Sequence, residues 1–301
     1  MGLDLICLGN ITVDDVVLPD GKTQMGCFGG DAIWAALGAA YWSDQVRFIA
    51  PLGTDFPNPH IANLKRIGWD LSGIPQRNIP SIRNWVIYEY DGRRTWVLRS
   101  DPADFLELSP TLEDVPLVYR NAKAALILAM ELLAQERLVP QLKALGMVVA
   151  LDPQEDYIPG NQERVFKMLA DVDIFLPSEE EVWRLLGHRD YERAVREFAG
   201  YGCKIVVVKM GAAGSLIFER ASNRLWKIPI YPTEAIDTTG AGDAYCGGFM
   251  AMYIQSGDLL KSGLAGAVSS SFAVEAFGLD YMMQVDRRKP QQRLDELMTR
   301  Y

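Results

Sequence analysis

Histidine and cysteine, on which many hydrolases and metal sites depend, are scarce in this sequence. Histidine occurs twice in 301 residues, and neither His60 nor His188 lies near a nucleophile motif such as Gly-x-Ser-x-Gly. The four cysteines show no paired metal-type spacing. They are Cys7, Cys27, Cys203 and Cys246. We therefore expect surface histidines, buried free thiols and no histidine-based hydrolysis.

Basic charge and long hydrophobic runs are also lacking. The 30 lysines and arginines are outnumbered by 39 aspartates and glutamates, and the two signs are interspersed. No basic stripe can therefore follow a phosphate backbone, which argues against a nucleic-acid partner. The longest apolar run, residues 124–130, is far shorter than the ~20 residues of a membrane span. The chain opens with an acid, Asp4, and no basic n-region, which is typical of a first strand rather than a signal peptide, so we expect a cytoplasmic protein without a membrane partner.

Hydrophobic residues are plentiful, at 49% of the chain. Short apolar runs typical of buried parallel strands alternate with amphipathic segments typical of helices. This alternation predicts an α/β fold with a doubly wound, mostly parallel central sheet flanked by helices, in a single domain over residues 1–301. The predicted strands lie within residues 3–9, 46–53, 124–130, 147–152, 172–177 and 204–210. The predicted helices are residues 31–42, 133–145, 162–169, 179–186 and 191–201.

Two stretches, residues 14–28 and 83–99, interrupt this alternation. Each places short alternating strands around an Asp-Gly pair, at residues 20–21 and 91–92, and such a pair favours a hairpin turn. Hairpins do not fit inside a parallel sheet, so we expect a small β-sheet lid, from about residues 12–28 and 83–99, that closes over a ligand and excludes water. The alternative is a pair of surface hairpins with no role in binding.

Residues 237–249 read DTTGAGDAYCGGF, a glycine-rich turn that runs into an apolar segment. Because Gly240 and Gly242 lack a Cβ atom, backbone N–H groups can converge on an anion, and a helix starting there adds its positive end. Asp243 would repel a phosphate unless it had a chemical role, such as accepting a proton from a hydroxyl that attacks the γ-phosphoryl group of ATP. The N–H groups of residues 241–243 would then stabilise the transferred group. The alternatives are a tight loop and, for Asp243, a helix N-cap.

The complete string closely resembles the C-terminal signature of the ribokinase family, also called the PfkB carbohydrate kinases, in which the pattern DTxGAGD is highly specific. The resemblance implies that Asp243 is the catalytic base. It places the anion hole at Gly240, Ala241 and Gly242. It also implies that Asp237, as a metal ligand, and Thr238, at the nucleotide, contribute to phosphate and cation contacts. The implied cofactors are ATP and Mg²⁺, and in many members a monovalent cation such as K⁺.

The amino-terminal part of the chain supplies the expected substrate end of the site. GNITVDDVV resembles the family's opening strand, and Asp14 falls where members hold substrate hydroxyls with a carboxylate, which can accept two hydrogen bonds at once. GCFGGDAIWAALGAA resembles the family's diglycine signature, in which Gly29 and Gly30 let the backbone approach the substrate. Trp34 departs from this pattern, because sugar kinases of the family usually carry an asparagine there.

Two residues at this end allow more than one interpretation. Trp34 replaces two-way amide hydrogen bonding with a large ring and one donor, so it either packs between helix and sheet or offers a flat face to the substrate. Arg99 closes the second predicted hairpin. It either binds a carboxylate or phosphate of the substrate or nucleotide, or lies solvated at a strand end.

The carboxyl-terminal half supplies the expected nucleotide end. VVVKMGAAGSLI resembles the strand and turn beside the nucleotide, which places Lys209, Gly211 and Gly214 there. LPSEEEVWRLLG resembles the family's P-N-x-x-E segment and implies that Glu181 organises Mg²⁺ through water. Ser178 replaces the asparagine of that segment and can still hydrogen-bond a phosphate or a metal-bound water.

Together these features predict an ATP-dependent kinase that phosphorylates a hydroxyl of a small sugar or sugar-like substrate, bound between the lid and the carboxyl ends of the strands. One alternative is a nucleoside kinase of the same family, with Trp34 or a lid aromatic stacked on the base. Another is a nucleotide-binding regulatory protein without turnover, because Trp34 and Ser178 depart from the pattern. In this family the lid often forms a dimer interface, and the apolar hairpin residues are compatible with a homodimer.

Overall fold

The computed structural model describes residues 2–90 and 94–300, which form two β-sheets with helices packed on both faces of the larger one. The strands are β1 (Leu5–Leu8), β2 (Thr12–Val17), β3 (Thr23–Gly29), β4 (Val46–Ile49), β5 (Ile82–Tyr88), β6 (Arg94–Leu98), β7 (Ala124–Ile127), β8 (Val148–Leu151), β9 (Ile174–Phe175), β10 (Ile205–Lys209), β11 (Ser215–Glu219) and β12 (Arg224–Ile228). The helices are α1 (Asp31–Ala40), α2 (Asn58–Arg66), α3 (Pro102–Glu107), α4 (Leu132–Ala144), α5 (Gln162–Met168), α6 (Glu179–Leu186), α7 (Tyr191–Gly200), α8 (Ala241–Ser256), α9 (Leu259–Ala273), α10 (Asp280–Gln284) and α11 (Arg288–Met298).

The larger sheet has the strand order β12-β11-β10-β9-β8-β7-β1-β4. The six strands from β10 to β4 in this order pair in parallel, and β11 and β12 add to them antiparallel. These six are the strands predicted from the sequence, so the predicted α/β, doubly wound, mostly parallel sheet is confirmed. The β11–β12 hairpin was not predicted, because β12 is largely exposed and has a weak apolar pattern.

Both faces of the larger sheet are covered by helices. Along β1, Leu5 and Cys7 pack into a core shared with α1, α8 and α9, whereas Ile6 and Leu8 pack into a second core shared with α4, α5, α6 and α7. Successive residues of one strand therefore enter opposite cores. This explains why the predicted strands are continuously apolar.

Helices α1 and α8 cross with their backbones in contact. A Cβ atom on Gly247 would lie 1.9 Å from the carbonyl oxygen of Ala35, and one on Gly38 would lie 2.3 Å from the carbonyl oxygen of Ala244. Only glycine allows an approach this close. The crossing fixes the start of α8 relative to α1.

The smaller sheet, which we call the lid, has the strand order β3-β2-β5-β6. The hairpins β2–β3 and β5–β6 are antiparallel, as predicted, and parallel pairing of β2 with β5 joins them. Alternate residues of β5, from Ile82 to Tyr88, are buried, so one face of the lid packs against the rest of the protein. The turn at Gly21 forms, with a φ of 83°, whereas the predicted turn at Asp91 and Gly92 lies outside the described residues.

The histidines differ from the sequence prediction, because neither is a fully exposed surface residue. His60 is half-buried against Phe28, with ring centroids 5.0 Å apart, and its Nε2 lies 3.2 Å from the carbonyl oxygen of Gly26. His188 is half-buried as well. All four cysteines are free, as predicted, but Cys27 is only partly buried because it lies on the lid. In the described part of the chain, no helix has both the length and the apolar character of a membrane span.

Candidate active site

The residues predicted to act on substrate and nucleotide meet between the lid and the carboxyl ends of the parallel strands. Asp14 lies on the lid, in β2. Lys209 ends β10 on the opposite side and lies beside Gly242 at the start of α8. Tyr88 of the lid connects the two sides through a hydrogen bond to Asp237. Segments that are distant in the chain therefore form one candidate site.

The DTTGAGD segment forms a loop and the first turn of α8. Gly240 precedes the helix with a φ of 74°, a left-handed conformation that glycine adopts without strain. Among the described residues no side chain caps this N-terminus, and the first N–H groups of such a helix end can bind an anion. The N–H of Ala241 is engaged, since it donates to the carbonyl oxygen of Thr238 at 3.3 Å. Asp243 lies inside the first turn, so the N-cap interpretation of Asp243 is wrong.

Trp34 of α1 packs directly against this loop. A Cβ atom on Gly240 would lie 2.1 Å from Cδ2 of the Trp34 ring. Trp34 is 2% exposed, and its Nε1 is buried without a hydrogen-bond partner among the described residues. Of its two interpretations, packing fits this geometry, because so little of the ring is exposed that it cannot offer a flat face to a substrate.

Asp14 is buried in the lid and held by two donors. Nδ2 of Asn84 donates to its Oδ1 at 3.0 Å, and Oγ1 of Thr12 donates to its Oδ2 at 3.0 Å. Burial raises the pKa of Asp14 to about 6, the two hydrogen bonds oppose the shift, and the charges of Asp237 and Asp15 add to it. The carboxylate is therefore oriented before any ligand binds.

The two glycines of the diglycine signature are required by neighbouring protein atoms. A Cβ atom on Gly29 would lie 2.0 Å from Oδ2 of Asp14. One on Gly30 would lie 2.4 Å from the carbonyl oxygen of Asn10. Glycine is therefore required at both positions so that the backbone can pack closely around Asp14 and the end of β1. This requirement does not depend on the substrate.

Arg99 lies elsewhere on the lid. Its Nη1 donates to Oδ2 of Asp15 at 2.6 Å, and its guanidinium group lies over the ring of Trp85, 5.3 Å from the centroid. Asp15 follows Asp14 at a β-bulge in the pairing of β2 with β3, and its Oδ1 accepts the N–H of Gly26 at 2.7 Å. The side chain of Arg99 is 42% exposed directly after β6, so of its two interpretations the solvated strand end fits, with the guanidinium group paired to Asp15 rather than free for a ligand.

Lys209 lies under the first turn of α8. A Cβ atom on Gly242 would lie 3.5 Å from Nζ of Lys209. That Nζ donates to Oδ2 of Asp152 at 2.5 Å and lies 3.4 Å from Sγ of Cys246. Burial alone would lower the pKa of Lys209, but the acidic groups of Asp152, Cys246 and Glu181 outweigh burial and raise it. A charged ammonium group is therefore held at the anion-binding turn.

Ser178 and Glu181 form a capping box at the start of α6. The N–H of Ser178 donates to Oε2 of Glu181 at 2.5 Å, and the N–H of Glu181 donates to Oγ of Ser178 at 3.3 Å. Burial and the charge of Asp152 raise the pKa of Glu181 to about 8, and the charge of Lys209 opposes them. Ser178 therefore has a structural role that does not require a nucleotide.

Asp237 lies in a different cluster from Glu181, next to the lid. Its Oδ1 accepts the N–H of Thr239 and the hydroxyl of Tyr88, each at 2.9 Å, and its Oδ2 is buried with no partner among the described residues. Oγ1 of Thr238 donates to the hydroxyl of Tyr88 at 3.3 Å. Within residues 2–90 and 94–300, no three His, Cys, Asp or Glu side chains are grouped as metal ligands. The two predicted metal ligands, Asp237 and Glu181, have different hydrogen-bond partners among the described residues.

The turn that contains Gly211 and Gly214 joins β10 to β11, directly after Lys209. The N–H of Met210 closes it by donating to the carbonyl oxygen of Gly214 at 2.8 Å. Its position at the carboxyl end of β10 places the two glycines on the predicted nucleotide side.

Comparison with known proteins identifies the family. The family described as pfkB family carbohydrate kinase matches residues 5–286. This chain belongs to the PfkB carbohydrate kinase family. It is also 30% identical over 253 residues to a protein named cytidine kinase from Thermococcus kodakarensis, an alignment that covers 83% of this chain and 88% of that protein. This PfkB kinase is thus an ATP-dependent phosphotransferase that acts on an alcohol group.

Two solved structures show that this PfkB kinase has the ribokinase fold. One is the nucleoside kinase of Methanocaldococcus jannaschii, with a TM-score of 0.78 and 23% identity, covering 98% of this chain and 99% of that chain. The other is a putative ribokinase II from E. coli in complex with ATP and Mg²⁺, with a TM-score of 0.79 and 22% identity over the same shares.

Several residues of this PfkB kinase's site were not predicted from the sequence. Asn84 and Tyr88 alternate with Ile82 and Val86 along the buried face of β5, so a polar side chain at a buried strand position was the available signal. Asp152 is the last residue of the predicted segment 147–152 and directly follows β8, at the end where ligands bind. Both signals are present in the sequence, but without the strand order neither is enough to assign a residue to the site.

Asp31, at the start of α1, was also missed. Its Oδ1 accepts the N–H of Asn10 at 2.8 Å. Desolvation of its carboxylate and the charges of Asp243 and Asp152 hold the pKa of Asp31 well above its usual range, against the opposing hydrogen bond from Asn10. The catalytic-base candidate Asp243 therefore has a second acid as its electrostatic neighbour.

The carboxylates beside Lys209 suit the Mg²⁺ that the family implies. Oδ1 of Asp152 is buried with no hydrogen-bond partner among the described residues. Glu181 is close enough for the charge of Asp152 to raise its pKa. Carboxylate oxygens are the protein ligands that Mg²⁺ prefers, usually as one or two groups together with substrate phosphates. The residues present therefore fit the ion at the Asp152 and Glu181 end of the site.

Proposed function

We propose that the acceptor of this kinase is a small, uncharged sugar or sugar-like compound whose hydroxyl groups bind to Asp14. The observation that supports this most strongly is the buried carboxylate of Asp14, oriented by Asn84 and Thr12. Each carboxylate oxygen retains a lone pair for a further donor, so two neighbouring hydroxyls can bind together. The lid places this carboxylate over the carboxyl ends of the strands, where open α/β sheets bind ligands.

Electrostatics favour an uncharged acceptor over a phosphorylated or acidic one. Besides burial, the charges that raise the pKa of Asp14 are those of Asp237 and Asp15. The lid arginines Arg83 and Arg99 are each ion-paired with an aspartate. A substrate that already carries negative charge would therefore meet repulsion that neither of these two arginines is free to offset.

In the proposed mechanism, Asp243 accepts the proton of the attacking hydroxyl. The turn at Gly240, Ala241 and Gly242 binds the γ-phosphoryl oxygens through N–H groups at the start of α8 other than that of Ala241, which donates to the carbonyl oxygen of Thr238. The ammonium of Lys209 adds positive charge beside this turn. The ring of Trp34 packs against Gly240 and holds the turn in position.

The remaining assignments concern nucleotide and cations. Asp152 and Glu181 would hold Mg²⁺, partly through water, and the bound ion would neutralise phosphate charge. The turn from Gly211 to Gly214 would lie beside the nucleotide. Asp237, with Thr238 next to it, would contribute to a monovalent-cation site, since its Oδ2 is buried without a partner in the described residues. Replacing K⁺ by tetramethylammonium in the assay buffer tests the last point, and unchanged turnover would reject it.

A nucleoside acceptor is a second candidate, supported by the 30% identity to a protein named cytidine kinase. A nucleoside presents the same ribose hydroxyls to Asp14 and is also uncharged. The burial of Trp34 argues against stacking of a base on that ring. Recognition of a base would then depend on other lid residues.

The decisive experiment is an assay of ADP release from the purified protein with ATP and Mg²⁺. The acceptor panel contains ribose-type sugars, uncharged amino-sugar conjugates, adenosine, cytidine and pseudouridine, with sugar phosphates and sugar acids as charged counterparts. We expect turnover with an uncharged acceptor and none with its charged counterpart. Turnover that is faster with a sugar phosphate would contradict the proposed substrate class.

The matched variants are Asp243→Asn and Asp171→Asn. Removing the base should lower kcat by roughly 10²–10⁴-fold, the usual contribution of a general base. Asp171 is exposed and precedes β9, at the opposite end of the sheet, so its variant should keep wild-type turnover. A fully active Asp243→Asn enzyme would exclude the mechanism. ATP binding without ADP release on any acceptor would favour the regulatory alternative.

We also propose that the protein is cytoplasmic, where ATP is supplied, and that it forms a homodimer through the lid. The edge strand β6 exposes Val97 by 43% and Leu98 by 38%. An exposed apolar edge strand is a common site of pairing between chains.

A further inference from the structure

Tyr88, the last residue of β5, joins the lid to the phosphate-binding loop. Its hydroxyl donates to Oδ1 of Asp237 at 2.9 Å and lies 2.9 Å from Oγ1 of Thr239. It also accepts a hydrogen bond from Oγ1 of Thr238 at 3.3 Å. Tyr88 is therefore in contact with all three residues that precede Gly240.

The hydroxyl of Tyr88 belongs to a connected set of hydrogen bonds. Oδ1 of Asp237 also accepts the N–H of Thr239 at 2.9 Å and the hydroxyl of Thr239 at 2.7 Å. Tyr88, Asp237 and Thr239 are all buried, so these bonds are poorly screened by water. Thr239 is bonded directly to Gly240, and the set therefore determines the orientation of the loop just before the anion-binding turn.

The ring of Tyr88 has a separate role. It packs with Val16 and Val86 in a small apolar cluster of the lid. Replacing tyrosine by phenylalanine keeps this ring and removes only the hydroxyl. The two contributions can therefore be measured independently.

We propose that Tyr88 is a positioning residue for phosphoryl transfer: its hydroxyl holds the Asp237 to Thr239 segment so that the turn at Gly240 is aligned with the γ-phosphoryl group while the lid covers the acceptor. This rests on the proposed role of residues 240–242 as the anion hole. The same hydroxyl links coverage of the acceptor to assembly of the anion hole. Aligned donors act mainly on the transition state, so the hydroxyl affects kcat more than ATP binding.

The kinetic test compares Tyr88→Phe with Tyr90→Phe. Tyr90 belongs to the same hairpin and is 87% exposed, so it undergoes the same chemical change without the buried contacts. We expect Tyr88→Phe to lower kcat at least about tenfold, with the KM for ATP changed less than about twofold. The loss should be smaller than the roughly 10²–10³-fold loss of an oxyanion-hole donor itself, because Tyr88 acts through the loop. Tyr90→Phe should match wild type. Wild-type kcat in a folded Tyr88→Phe protein would overturn the proposal.

A second measurement needs no acceptor and so separates this proposal from the proposed function. Calorimetry compares the binding of ADP with aluminium fluoride, a mimic of the transferred phosphoryl group, with the binding of ADP alone. We expect Tyr88→Phe to weaken binding of the mimic at least about tenfold and to leave ADP binding unchanged. If Tyr88→Phe weakened the binding of both ligands equally, the hydroxyl would have only a structural role and the proposal would be overturned. This conclusion holds whether or not the wild-type enzyme phosphorylates any of the acceptors.

A variant at the other end of the contact covers the case in which Tyr88→Phe fails to fold. Thr239→Val removes the hydroxyl that lies 2.9 Å from that of Tyr88. Thr239→Val should also weaken binding of the mimic and leave ADP binding unchanged. In the double variant, binding of the mimic should weaken by less than the product of the two single effects, because both hydroxyls belong to one contact. Unchanged binding in folded Thr239→Val, or fully multiplicative effects, would overturn the proposal.

Discussion

Asp14 illustrates how single residues determine the chemistry of this site. Its carboxylate is buried and accepts hydrogen bonds from its own strand and from the neighbouring β5. It also lies so close to residue 29 that only glycine fits there. Burial favours the protonated form, whereas binding of hydroxyl groups needs the ionised form. The residue is therefore sensitive to pH in a range where ordinary aspartates are not.

Acceptor binding should weaken as pH falls through about 6. The pKa of Asp14 is raised from 3.8 to about 6, so the native state holds this proton more tightly than the unfolded chain does. Ionising Asp14 therefore costs stability as pH rises from about 4 to about 6, and the cost is constant above that range. The oriented acceptor oxygens exist only on the high-pH side, so the KM for the acceptor should rise below pH ~6.

Kinetics of wild type and Asp14→Asn between about pH 5 and about pH 8 check this expectation. The asparagine variant should have a high KM for the acceptor that does not change across the range, because it has no proton to lose. A wild-type KM that stays constant through pH 6 would show that Asp14 does not bind the acceptor as a carboxylate.

At the scale of elements, the crossing of α1 and α8 positions the catalytic turn. Gly247 is one helical turn after Asp243, and its backbone touches Ala35 of α1. Trp34, the preceding residue of α1, packs on Gly240. One helix pair therefore sets both the base and the anion-binding turn.

Gly247→Ala should destabilise the protein and lower activity. The new Cβ would lie 1.9 Å from a backbone oxygen of α1, so the helices must separate. Overpacking of this kind costs about 1–3 kcal/mol and would displace Asp243 along with α8. Thermal unfolding should show a lower midpoint, and kcat should fall.

Gly200→Ala is the matched control. Gly200 ends α7, and apart from its chain neighbours and the backbone of its own helix, no described atom lies within 4 Å of the position that its new Cβ would take. Alanine has the higher helix propensity, so the midpoint should stay the same or rise slightly, with wild-type kcat. A Gly247→Ala protein as stable as this control would show that α1 and α8 can separate without strain.

Local sequence patterns were sufficient to predict the strands and hairpins, but not how the two hairpins pair. Six parallel strands and both lid hairpins were predicted, because hydrophobic runs and Asp-Gly pairs are local signals. The parallel pairing of β2 with β5 was not predicted, since residues 12–17 and 82–88 carry nothing that specifies their partner. That pairing places Asn84 opposite Asp14.

At the scale of the whole molecule, the two faces of the lid differ in environment. The inner face is buried against the site, whereas β6 leaves Val97 and Leu98 exposed at the edge. The net charge of −9 opposes association of two copies, and salt screens this repulsion. A dimer through the lid should therefore be stabilised by moderate ionic strength.

Sedimentation velocity should show a dimer for wild type and a monomer for Val97→Lys, because a charge at the paired edge cannot be buried without a partner. Val118→Lys is the control, since Val118 is 72% exposed and lies outside the lid. It should remain dimeric. Wild-type protein that stays monomeric at all concentrations would reject the dimer.

The sequence by itself determined the fold class, the family signature and the identity of Asp14 and Asp243 as candidates, because hydrophobic period, turn residues and DTTGAGD are all local patterns. Only the tertiary structure decided which residues surround these site residues. Asn84 reaches Asp14 across 70 positions and Tyr88 reaches Asp237 across 149. Contacts of such separation depend on strand order and register, which are set by the packing of the whole chain and not by any one segment.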